Sequence, residues 1–79
     1  MKARVVVTLK SGILDPQGKA IEGALRSLGV EGVGAVRQGK VFDVELEGVA
    51  SDQARAVLGE ACEKLLANTV IENYAIEVG

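Results

Sequence analysis

From Ala3 to Lys10 the chain alternates, with Ala3, Val5, Val7 and Leu9 on one side and Arg4, Val6, Thr8 and Lys10 on the other. A period of two built from β-branched residues predicts a strand that lays one face on a core. Asp15-Pro16 then marks a helix start: the carboxylate can cap free backbone N–H groups, and proline suits the first helical position. Ala20, Ile21, Ala24, Leu25 and Leu28 fall on one helical stripe, and Gly29 supplies a stop.

Val33 to Gln38 and Val41 to Glu47 flank Gly39-Lys40 and read as a hairpin. Phe42, Val44 and Leu46 alternate with Asp43, Glu45 and Glu47, so one face of the second arm is wet or meets a polar partner. Ser51 is the expected N-cap of a second helix, with Asp52 at the positive end of its dipole. Its stripe, Ala54, Val57, Leu58, Ala61, Cys62, Leu65 and Leu66, is the strongest amphipathic pattern in the chain. Asn68-Thr69 breaks it, and Tyr74, Ile76 and Val78 alternate in a last strand.

The order β-α-β-β-α-β predicts a ferredoxin-like α+β sandwich, a four-stranded antiparallel sheet with two helices on one face, in a single domain over residues 1–79. The other face of the sheet carries Val6 and Val41 among charged neighbours. That face, or an edge strand, is expected to pair with a second subunit. A chain of 79 residues that is 48% hydrophobic strengthens the expectation, because so small a domain leaves much of its apolar surface uncovered.

Composition narrows the function mostly by exclusion. A net charge of −2 gives no electrostatic footprint for nucleic acid. The aromatics Phe42 and Tyr74 are too few for the base-stacking platform of RNA-binding domains that share the topology. With no histidine, the usual acid–base residue and commonest metal ligand is missing. One cysteine, Cys62, allows neither an internal disulfide nor a Cys-x-x-Cys metal site, and a reducing cytoplasm is the expected setting. The apolar run at the first strand is too short for a signal-peptide core or a membrane span. Asp43, Glu45 and Glu47 sit at strand spacing as a solvated face, and Cys62 sits in the apolar stripe as a buried, inert thiol. Gly12 to Ala20 superficially resembles a phosphate-binding loop but has five residues between its glycines and Ala20 after the lysine. It reads as a helix start, with a contact site for an acidic or phosphorylated group at Lys10, Lys19 and the helix end as the alternative.

Val7-Thr-Leu-Lys-Ser-Gly-Ile-Leu-Asp-Pro-Gln-Gly-Lys-Ala20 resembles the N-terminal signature of the PurS family. Leu28-Gly29, Val36-Arg37 with Gly39-Lys40, and Cys62-Glu-Lys-Leu-Leu-Ala-Asn-Thr-Val-Ile-Glu-Asn-Tyr74 continue the likeness over essentially the whole chain. Thr69 departs from it, standing where most relatives carry proline. The resemblance implies a non-catalytic subunit of phosphoribosylformylglycinamidine synthase. Its implied partners are a large synthetase subunit, which binds ATP and magnesium, and a glutaminase subunit, which brings the nucleophilic cysteine. Together these convert formylglycinamide ribonucleotide, ATP and glutamine to the formylglycinamidine product, ADP, phosphate and glutamate. No cofactor is expected on this subunit itself. A homodimer or homotetramer that bridges the larger subunits and helps hold a closed route for ammonia is the implied role. Ammonia escaping to water would be protonated and lost as a nucleophile. The candidate contact residues are Lys10, Asp15, Gln17, Lys19, Arg37, Lys64, Asn68 and Tyr74.

Two other classes share the predicted topology. A ligand-sensing regulatory domain would need a polar pocket at a dimer seam, for which Ser11-Gly12 is a faint marker. An acylphosphatase-type enzyme would need an arginine-bearing phosphate loop after the first strand, and none is present.

Overall fold

The first strand is the centre of the sheet because both of its edges find partners. In a computed structural model describing residues 1–79, the elements are β1 (Lys2–Leu9), α1 (Pro16–Ser27), β2 (Gly39–Glu45), α2 (Ser51–Ala61) and β3 (Glu72–Val78). They form an α+β fold with a three-stranded antiparallel sheet in the order β2-β1-β3. Val5 sits opposite Phe42 on one side and Ile76 on the other. Ala3, Val5 and Val7 are buried, as their alternation predicts.

α2 covers that face. Ala54, Leu58 and Cys62 are buried at helical spacing, and Phe42, Val44, Leu46, Tyr74, Ile76 and Val78 pack around the small core. The N-cap of α2 is Ala50 rather than Ser51, and the Gln53 side chain accepts from the Ala50 N–H. Asp52 lies in the first turn, where the dipole favours a negative charge. Residues Cys62–Leu66 continue as a wider π turn, closed by the Ala67 N–H donating to the Cys62 carbonyl. Leu65 is 81% exposed there, so the predicted stripe is buried only in part.

The predicted fourth strand is not formed. Val33 to Gln38 does not fold back on the next segment; it runs straight into β2, whose first residues Gly39 and Lys40 already pair with Thr8 and Val7. The reason is local. The Val36 N–H donates to Glu22 Oε2 at 3.1 Å and the Gln38 N–H to Asp15 Oδ2 at 2.8 Å. Asp15 at the cap of α1 and Glu22 within it thus hold two backbone donors of this segment. Gly18 makes the fit possible, because a Cβ there would collide with the Val36 carbonyl oxygen.

α1 is therefore not a second helix on the sheet. It pairs with the returning segment as an arm, and the molecule measures 49 × 25 × 15 Å. Asp15 caps it and Pro16 opens it as predicted, while the positive φ of +83° at Gly29 ends it. Its predicted core stripe is open, however, with Leu28 79% exposed. The side chain it does bury is Glu22, 5% exposed.

Only nine of 79 residues are buried, so each core position carries a large share of the stability. Truncating Leu58 to alanine should cost about 2–5 kcal/mol. Urea unfolding checks this through a lowered midpoint at an unchanged slope.

Candidate functional site

Five of the eight candidate residues meet where β1 ends, α1 begins and β2 begins. Asp15 accepts from the Gly18 N–H at 2.9 Å with one oxygen and from Gln38 with the other. The hydrogen bond from Gln38, then that from Gly18, holds its carboxyl below the usual carboxylate range. Arg37 reaches across from the returning segment and donates to the Leu9 and Lys10 carbonyls at 2.9 and 3.1 Å. The Lys10 carbonyl also accepts from the Ile13 N–H, and the Lys10 N–H donates to Ile71. Lys10 and Arg37 are thus tied into the backbone of this junction.

Gln17 and Lys19 stand on the outside of the same junction. Gln17 is exposed and lines a cleft of about 390 Å³ with Leu9, Asp15, Pro16, Gln38, Lys40 and Glu72. Lys19 is exposed, with its ammonium 3.8 Å from Glu22. The alternative reading of Lys10, Lys19 and the helix end as an anion contact loses ground here, because the Gly18 N–H at the helix end is already bound by Asp15.

The other three candidates lie at the opposite edge of the sheet. Lys64 is exposed and bridges Glu60 at 2.6 Å. Asn68 shapes the turn after the π segment: its carbonyl accepts from Ile71 and Glu72, and its side-chain oxygen accepts from Val70. The hydroxyl of Tyr74 donates to Glu63 at 3.4 Å. Burial, reinforced by the Glu63 charge, pushes the Tyr74 phenol up from its ordinary value. Lys10 lies in the same shallow depression as Tyr74, Asn73 and Glu63, so it borders both groups.

The sequence reading omitted two carboxylates. Glu22 is flanked by Arg26 at 3.5 Å and Lys19 at 3.8 Å, and it binds the Val36 N–H. Its spacing of three and four residues from those two cations, inside an apolar stripe, was the available signal. Glu72 accepts from the Asn68 N–H at 2.7 Å and faces Lys40 at 3.5 Å, tying the ends of β2 and β3 together. Cys62 is fully buried as expected, and desolvation followed by Glu63 raises its thiol above the ordinary value. Its place is in the core.

The family model for PurS, described as phosphoribosylformylglycinamidine (FGAM) synthase, matches residues 2–79. The chain belongs to the PurS family. The Bacillus subtilis PurS subunit of phosphoribosylformylglycinamidine synthase is 50% identical over 78 residues, covering 98% of this chain and 90% of the relative. The Mycobacterium leprae PurS subunit is 49% identical over 75 residues, covering 95% and 91%. Among solved structures, Methanocaldococcus jannaschii PurS, one of the subunits of formylglycinamide ribonucleotide amidotransferase in the purine biosynthetic pathway, aligns with a TM-score of 0.90 at 40% identity. The alignment covers 99% of this chain and 94% of that one. A chain of PurLQS from Thermotoga maritima aligns with a TM-score of 0.87 at 35% identity, covering 98% and 95%. This PurS-family chain is a subunit of FGAM synthase in purine biosynthesis, and no helix in it is long and apolar enough to cross a membrane.

Because Asp15 has a folded pKa below its unfolded value, its ionised form stabilises the fold. That contribution is present above the unfolded value of about 3.9 and is lost as pH falls through the lower folded value. Thermal unfolding of wild type between pH 2 and 6 should therefore show an acid-side decline in Tm that is shallower in Asp15→Asn.

Proposed function

We propose that this chain acts without chemistry of its own, as the part that holds the synthetase and glutaminase subunits of FGAM synthase in register and helps keep ammonia between them. The observation that carries the reading is the near-complete structural likeness to a chain of PurLQS, which supports assembly with subunits of the PurL and PurQ kind. The local geometry fits a contact role. Asp15 and Arg37 spend their side-chain polar groups on backbone, and the Lys10 backbone is tied in with them, which fixes the shape of the junction. Gln17 and Lys19 are left projecting from it, and Lys64 projects from the other end. ATP and magnesium belong on the large subunit, the complex works in the cytoplasm, and the chain self-associates as a homodimer or homotetramer.

Ammonia supplied in bulk bypasses any need to hold the glutaminase in place, whereas ammonia released from glutamine does not. In the reconstituted complex, Lys19→Glu combined with Lys64→Glu should lower glutamine-dependent synthesis about 10-fold or more, the equivalent of roughly 1.4 kcal/mol of lost contact. Ammonia-dependent synthesis at saturating ammonia should fall much less. Equal rates of wild type and variant in both assays would remove these residues from the interface. A saturable small-molecule ligand on the isolated chain, found by calorimetry with amino acids and nucleotides, would favour the sensor reading instead.

A further inference from the structure

The cleft beside Gln17 holds a negative charge that the chain leaves unpaired. Its floor is apolar, formed by buried Val7, half-buried Leu9 and the ring of Pro16. Two carboxylates, Asp15 and Glu72, line it below a rim of exposed Gln17, Gln38 and Lys40. Glu72 is committed on both oxygens: one accepts from the Asn68 N–H at 2.7 Å and the other faces the Lys40 ammonium at 3.5 Å. Asp15 makes no ion pair. Arg37 helps to hold it ionised, but that guanidinium is bound to the Leu9 and Lys10 carbonyls. Backbone N–H groups of Gln38, Gly18 and Gln17 bond to Asp15. A carboxylate offers about four lone pairs, so one acceptor position remains.

The sign of the cleft follows from its charges. Two carboxylates against the one ammonium of Lys40 leave a single negative charge in excess. The start of α1 opposes it with only about half a positive charge, and the Gly18 N–H there already faces Asp15. An anionic group is therefore repelled and a cation attracted. The floor decides which kind of cation. A bare ion would leave Val7, Leu9 and Pro16 with nothing to pack on. A lysine or arginine lays its methylene stem on such a surface and keeps its charged head at the polar rim. The side-chain carbonyls of Gln17 and Gln38 can accept hydrogen bonds from that head, and a volume of about 390 Å³ leaves room for bridging water beside it.

We propose that this cleft receives a lysine or arginine side chain of a larger synthase subunit, its stem on Leu9 and Pro16 and its charge between Asp15 and the amides of Gln17 and Gln38. Lys40, paired with Glu72, makes Asp15 the seat of the incoming charge. This inference rests on the reading that the chain assembles with the synthetase and glutaminase subunits, and it adds the chemistry by which one contact is recognised.

Reversing the sign at Gln17 tests it. The side chain is exposed, and Lys and Glu match Gln in helix propensity. The full chain, fluorescently labelled, is titrated with the two larger subunits together. Gln17→Lys should weaken binding about 10-fold or more, Gln17→Glu should leave it equal or tighter, and added salt should shrink the gap between the two. Where Gln17→Lys lowers the Tm, Gln38→Lys puts the same charge on the opposite rim, outside any helix, and should weaken binding likewise. Equal affinity for all variants, or weakening by Lys and Glu alike, would overturn the basic occupant. Tighter binding of Gln17→Lys would assign the cleft to an acidic group and overturn it too. A Gln17→Lys defect confined to self-association of the chain would place a second copy there, against the proposal. A wild-type chain that binds neither larger subunit would overturn the assembly reading itself.

Discussion

Two carboxylates bound to backbone decide the shape of this molecule. Asp15 and Glu22, one at the cap and one about two turns into α1, accept the N–H groups of Gln38 and Val36. A charged acceptor makes a backbone hydrogen bond stronger than its neutral counterpart. Once these are made, the Val36 and Gln38 N–H groups are no longer available to a hairpin, and the returning segment leads directly into β2. Arg37 closes the junction from the other side by binding the last carbonyls of β1 and its successor. Gly18 leaves room for the close approach that all of this requires.

The same arrangement explains why the core is small and the surface apolar. α1 is tied to the returning segment instead of the sheet, so α2 alone covers the inner face and the α1 stripe stays in the open. A chain built this way gains less from its own burial than its 48% hydrophobic composition could supply. In this subunit of FGAM synthase the α1 stripe and the outer edge of β2 are left uncovered by the chain itself.

Much of this was legible in the residues. The alternation of Ala3, Val5 and Val7, the Asp15-Pro16 helix start, the α2 stripe through Leu58 and Cys62 and the last strand at Tyr74, Ile76 and Val78 all lie where their patterns place them. Periodicity reports which face of an element is apolar, and for these elements the covering partner lies within the chain. It does not report who covers that face, which is why the α1 stripe was expected on the sheet and is not there. Gly39-Lys40 resembles a two-residue turn in composition, but the competing carboxylates that cancel the hairpin lie 14 and 23 residues away in sequence. Of the contact residues, Asp15 and Arg37 bind backbone at the junction through their side chains, while Gln17, Lys19 and Lys64 are exposed, the two lysines beside carboxylates of their own helices. That division depends on hydrogen bonds no local pattern encodes.

The most direct test is an isotope-edited nuclear Overhauser spectrum of the labelled chain, filtered to separate contacts within one copy from contacts between copies. The Val36 and Gln38 amides should lie close to protons of Gly18, Glu22 and Asp15, with no intramolecular cross-strand contacts between residues 33–38 and 41–47. Hα–Hα contacts linking those two segments within a single chain would restore the hairpin and contradict the carboxylate junction on which the account stands.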